Sequence, residues 1–78
     1  MRFLDSADHH HVPRHSTWYI IMTTRPRPVI TNWGEAGLWY QGLDDRGVEI
    51  EVITVQRGRN ETVVHSMPIN LRHRNERG

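Results

Sequence analysis

The sequence contains no cysteine and no lysine. Without cysteine there can be no disulfide, no thiolate nucleophile and no Cys-type zinc site, and a reducing compartment is the natural expectation. Without lysine, all ten basic residues are arginine, so every cation is a planar guanidinium that binds phosphate through two parallel bonds and keeps its charge near neutral pH. Long apolar runs are missing as well. No stretch is long enough to span a bilayer, and Met1-Arg2-Phe3-Leu4 carries no signal-peptide pattern. The expectation is a cytoplasmic protein without membrane contact. Its 78 residues read as one small domain over 1–78 with a basic tail from about 69 to 78, small enough that any partner surface is a large share of the whole.

The formal charge of +1 is unevenly spread. Residues 1–34 hold four Arg against Asp5 and Asp8, net +2; residues 35–56 hold Arg46 against five acids, net −4; residues 57–78 hold five Arg against Glu61 and Glu76, net +3. A basic end on a small domain raises the expectation of a nucleic-acid or acidic partner.

The clearest pattern runs from Gly37 to Arg74. Leu38–Leu43 is apolar and aromatic and meets Asp44-Asp45-Arg46-Gly47, where Gly47 can take the positive φ of a tight turn. Val48–Val55 is rich in β-branched residues and meets the turn signal Arg57-Gly58-Arg59-Asn60 before Thr62-Val63-Val64-His65. Three runs and two turns predict an antiparallel meander, with Val29–Trp33 as a fourth, edge strand beyond the extended Arg25-Pro26-Arg27-Pro28 connection. Upstream, Phe3, Leu4, Ala7 and His10 or His11 have helical spacing over residues 3–11. Ser16 is a fitting N-cap for a second helix that places Trp18, Ile21 and Met22 on one face. The fold class expected is therefore α+β: two short N-terminal helices packed on a three- to four-stranded antiparallel β-meander.

In the central run, Val48, Ile50 and Val52 alternate with Glu49 and Glu51, and Ile53 and Val55 then occupy the glutamate face, as when a helix pair covers only part of the second face or when a bulge swaps the faces near Val52. Glu49 and Glu51 read as surface residues rather than a catalytic carboxylate pair, because such pairs need burial to separate their pKa values. Trp18, Trp33 and Trp39 could stack bases, but in a domain this small they read as core. His9, His10, His11 and His15 have a metal-site flavour. Pro13 interrupts the i, i+4 pair His11/His15, so no metal site and no cofactor are expected.

The strand end Val63-Val64-His65-Ser66-Met67-Pro68 carries the chemistry. An imidazole titrates near neutral pH and can serve as base or acid, and the guanidinium groups that follow can stabilise a pentavalent phosphate; together they suit RNA cleavage. On spacing alone, a structural histidine at a strand end is the favoured reading of His65. The order of a His-rich segment ending in Arg14-His15, the Asp-Asp-Arg-Gly turn, Val-Glu-Ile-Glu-Val-Ile and Val-Val-His-Ser-Met-Pro resembles the BrnT-type toxins, within the RelE-like group of type II toxin–antitoxin systems. The resemblance implies a metal-independent endoribonuclease with an RNA substrate and a cognate antitoxin over its basic face. By that resemblance His65, Arg72, Arg74, His15 and Arg14 are the candidate catalytic residues, and Arg57, Arg59, His73 and Arg77 bind RNA. Asn70 stands where many relatives have Arg, and Arg72 could supply the Lys or Arg that they carry shortly afterwards. The rival reading is a non-enzymatic interaction module, such as a phage or mobile-element protein that inhibits a host factor, and a nucleic-acid binder without catalysis is a third. An exposed edge at Val29–Trp33 could pair with a second copy to form a homodimer, or with an antitoxin strand.

Overall fold

The computed structural model describes residues 2–3 and 12–69. Along these, β1 (Arg2–Phe3), α1 (Arg14–Thr23), β2 (Arg27–Ile30), β3 (Ala36–Leu43), β4 (Glu49–Arg57) and β5 (Asn60–Pro68) follow in chain order. The strands form one sheet in the order β1-β5-β4-β3-β2. From β2 to β5 each neighbour is antiparallel, whereas β1 runs parallel to β5, with Arg2 opposite Thr62 and Phe3 opposite Val63.

The expected architecture of two helices on a three- to four-stranded antiparallel meander is corrected accordingly. Among the described residues one helix, Arg14–Thr23, lies on a five-stranded mixed sheet. Phe3, assigned by spacing to the first turn of a helix, lies in a strand; the remainder of that segment, 4–11, is outside the described residues. The physical reason is the free edge of β5. A short apolar segment pairing beside Val63 satisfies backbone groups on both strands and packs Phe3 against the core.

Turn chemistry explains the hairpins. Asp44 stays buried because its carboxylate organises the β3–β4 connection: Oδ1 accepts from the backbone N–H groups of Arg46 and Val48 at 2.8 and 2.9 Å, and Oδ2 from Arg46 Nε at 2.9 Å. Gly47 closes this turn at φ +79°, a conformation that residues with a Cβ adopt at a cost. Burial alone would raise the Asp44 carboxyl, but the Val48 N–H and the Arg46 guanidinium outweigh it and hold it at about 2. The β4–β5 connection is shorter still, with Arg57 opposite Asn60 across Gly58-Arg59.

α1 crosses one face of the sheet. Its buried residues are Ser16, Thr17 and Ile20, and Ile21 packs half-buried against the core, whereas Trp18 and Met22 of the predicted stripe are exposed, Met22 by 77%. The helix begins at Arg14, with Pro13 rather than Ser16 at its N-cap. Thr17 and Ser66 exchange a buried hydroxyl hydrogen bond of 2.8 Å. Gly42 admits the helix end, since a Cβ there would lie 2.6 Å from Thr24 Cγ2. Val12, Ile20, Tyr40, Ile50, Val52 and Val63 form the core between helix and sheet, each fully buried aliphatic side chain contributing roughly 1.5–3 kcal/mol against exposure.

Candidate functional site on the open sheet face

Side chains alternate along a strand, so the residues between those core positions face away from α1. Ser66 touches Thr17 on the helix side; His65 and Met67, its neighbours, therefore belong to the other face. Along β5 one residue is extra: His65 lies opposite Ile53 and Val63 opposite Thr54, leaving Val64 as a bulge. Consecutive residues Val64 and His65 consequently line the same hollow, which a regular strand would not allow. Bulges commonly re-aim a side chain in this way beside functional sites.

That hollow has a volume of about 510 Å³ and is walled by Val29, Thr31, Trp33, Trp39, Ile53 and Met67, with Glu51 and His65 among its lining. Glu51 is 3% exposed. Its Oε2 accepts a hydrogen bond from Trp39 Nε1 at 3.1 Å, and its Oε1 lies 3.7 Å from His65 Nε2. The His65 side chain is 28% exposed and so within reach of solvent. A carboxylate at this distance attracts an imidazolium electrostatically without fixing the ring through a hydrogen bond.

The rim is built by residues 31–35. Thr31 N–H donates to Glu35 O, and Glu35 N–H returns a bond to Thr31 Oγ1, both at 2.9 Å. Trp33, 59% exposed, donates its indole N–H to Glu35 Oε1 at 2.7 Å, and Arg57 Nη2 donates to the same oxygen at 3.1 Å. The Arg57 guanidinium, then the Trp33 indole, hold the Glu35 carboxyl below its ordinary range.

Several predicted site residues are not gathered here. Arg14 and His15 sit on α1, across the sheet from His65: Arg14 stacks its guanidinium 4.7 Å from the Phe3 ring centroid, and His15 Nε2 lies 3.7 Å from Asp45 Oδ2. Arg57 is occupied by Glu35. Arg59 lies in the β4–β5 turn, six residues from His65 and so roughly 20 Å along the strand. Arg72, His73, Arg74 and Arg77 lie outside the described residues, as do Asn70 and the cluster His9, His10 and His11. Among the described residues no group of three His, Asp or Glu is placed to hold a metal ion, and no helix is long and apolar enough to cross a membrane.

Other residues enter instead. Glu51, read as a surface residue, is buried beside His65; Glu49 is exposed as expected. Trp18 and Trp33, read as core, are both exposed, and Trp39 is half-buried with its indole on Glu51. Hairpin register was the signal that could have found this pair. Centring the turn on Arg46 sets Gln41 opposite Glu51 and Trp39 opposite Ile53, so Trp39 and Glu51 become diagonal neighbours on one face. Comparisons with protein-family models, curated proteins and solved structures found no match to this chain.

Proposed function

We propose that the protein is a small endoribonuclease of the toxin type, with His65 as the acid–base residue and Glu51 as the carboxylate that stabilises its charged form. The observation that carries this reading is the Glu51–His65 approach of 3.7 Å at the floor of an open hollow. In the reaction, the ribose 2′-oxygen attacks phosphorus in line and loses its proton to a base. The bond from phosphorus to the 5′-oxygen breaks, and that oxygen takes a proton. The products are a 2′,3′-cyclic phosphate and a 5′-hydroxyl. His65 takes up and returns the proton, Glu51 stabilises the imidazolium, and guanidinium groups bind the phosphate. The resemblance of Val63–Pro68 and its basic continuation to BrnT-type toxins supports the same chemistry, and a cognate antitoxin masking the open face would complete the system.

The test is cleavage of single-stranded RNA and of ribosome-bound mRNA by the purified chain. Cyclic-phosphate ends should appear, His65→Ala should remove at least about 100-fold of the rate, and Glu51→Gln should lower kcat with KM little changed. Intact RNA in both formats, together with equal harmlessness of wild type and His65→Ala in growing cells, would overturn the reading.

A second reading, the non-enzymatic interaction module, is favoured by one observation: the hollow is bordered by exposed Ile30 and Trp33, an apolar rim of the kind protein interfaces use. On that reading any toxicity survives His65→Ala and is lost on Trp33→Ala.

A further inference from the structure

One row of the sheet joins His65 to a second hollow. Arg27 of β2, Trp39 of β3, Ile53 of β4 and His65 of β5 are successive cross-strand partners. With strands about 4.8 Å apart, the row spans roughly 14 Å of backbone. Trp39 borders both the His65 hollow and another of about 260 Å³, lined by Arg25, Arg27, Gln41, Gly42 and Glu49. Arg25 and Arg27 are exposed and make no ion pair among the described residues, whereas Arg46 is held by Asp44 and Arg57 by Glu35. Two uncommitted guanidinium groups flank an aromatic wall, with Gln41 offering both a donor and an acceptor. Glu49 opposes them with one negative charge.

From this we infer that the second hollow is a subsite for single-stranded nucleic acid: Arg25 and Arg27 hold a phosphate flanking the one at His65, and Trp39 takes a base between them. The inference deepens the ribonuclease reading and rests on it for the position of the scissile phosphate. It follows that the substrate is a single strand of roughly three nucleotides or more laid across the strands, an arrangement of aromatic platform and basic groove that single-strand binders share. A duplex would not present an unstacked base to Trp39. Sequence reading passed over these arginines because Arg25-Pro26-Arg27-Pro28 looks like a charged linker, and only the pairing of Arg27 with Trp39 brings them to the site.

Binding and cleavage separate the two claims. An uncleavable 2′-O-methyl oligonucleotide is titrated into the full chain over a range of salt, followed by tryptophan fluorescence. Arg25→Ala/Arg27→Ala should weaken binding about tenfold at low salt and flatten the dependence of log K on log salt by about 0.7 for each phosphate contact removed. Glu49→Gln should tighten binding about two- to fivefold, the opposite sign. In cleavage assays the double variant should raise KM for a tetranucleotide and leave a dinucleotide unaffected. If no RNA is cut but binding responds in this way, the subsite stands and the catalytic reading falls. If His65-dependent cleavage occurs while salt slope and length dependence are unchanged in the double variant, the subsite falls. Equal affinity for a polyglutamate peptide of matching length would also overturn it, in favour of an acidic protein partner.

Discussion

The two faces of this sheet are made by alternate residues of the same strands, yet they obey different rules. On the face under α1, Ile50, Val52, Val63 and Tyr40 close against Ile20 and Val12, and the polar contact between Thr17 and Ser66 is matched atom for atom. On the opposite face, Trp39, Ile53, His65 and Met67 are half-buried around a hollow, and a carboxylate sits at its floor. A sealed face minimises free energy. An open one retains groups whose charge would be removed by full burial, and it gains a surface that a substrate can reach. A side-chain period of two lets a single chain do both, and the Val64 bulge adds one more residue to the open side.

The comparison breaks most visibly if core truncations are equally costly on both faces. Ile50→Ala should destabilise by about 2–4 kcal/mol, a large part of the stability of a domain this size, because α1 cannot collapse into the space. Ile53→Ala, one side of the open hollow, should cost about 1 kcal/mol or less. Urea unfolding midpoints of the two variants decide this, and equal losses would mean that the open face is core. Next in size is the helix–sheet hydroxyl pair. Thr17→Val keeps the shape of the side chain but leaves the buried Ser66 hydroxyl without its partner, an expected loss of about 1–3 kcal/mol. Removing both with Thr17→Val/Ser66→Ala should cost less than the sum of the single changes, which a double-mutant cycle measures.

The difference between faces also explains what could be read without coordinates. Both hairpin turns were legible because Asp44, Gly47 and Gly58 have local reasons for their positions, and those reasons act within four residues. The parallel pairing of β1 was not. Its cause is a long-range edge, and the local spacing of Phe3, Leu4 and Ala7 favours a helix. The place of His65 near the end of the last strand was legible from its neighbours; the hollow it shares with Glu51 was not. Glu51 was misread because Val-Glu-Ile-Glu-Val alternates as a strand with one wet face does, and alternation records parity, not what lies across the sheet. The tryptophans failed for the same reason: size argues for burial, while position in the sheet leaves Trp33 at a rim and Trp39 bonded to an acid. The face of α1 was misjudged in part because Ser16 and Thr17, two small hydroxyl residues that carry no hydrophobic period, share its contact surface with Ile20.

A smaller effect tests the turn that orients β3 and β4 and hence the row from Trp39 to Ile53. The Asp44 carboxyl is held at about 2, below its ordinary 3.8. A depressed carboxyl contributes stability that is fully present above its unfolded value and is lost as pH falls through the folded one. Stability should therefore decline between about pH 4 and pH 2. The expected contribution is about 1–2 kcal/mol, less than full linkage because Arg46 is half exposed to solvent. In Asp44→Asn that segment of the pH–stability profile should flatten, as unfolding midpoints across the range would record.

The smallest change expected in stability belongs to Glu51, which the proposed reading sets beside His65. Glu51→Gln keeps an oxygen to accept the Trp39 indole N–H and keeps the volume. It removes a buried carboxylate whose neighbour, His65, is partly exposed. Replacing a buried ion pair by neutral groups is often neutral or favourable. The unfolding free energy should thus move by less than about 1 kcal/mol in either direction, while RNA cleavage falls. A loss of several kcal/mol would mean that the carboxylate holds the sheet together, and the open face would then be a second core rather than a site.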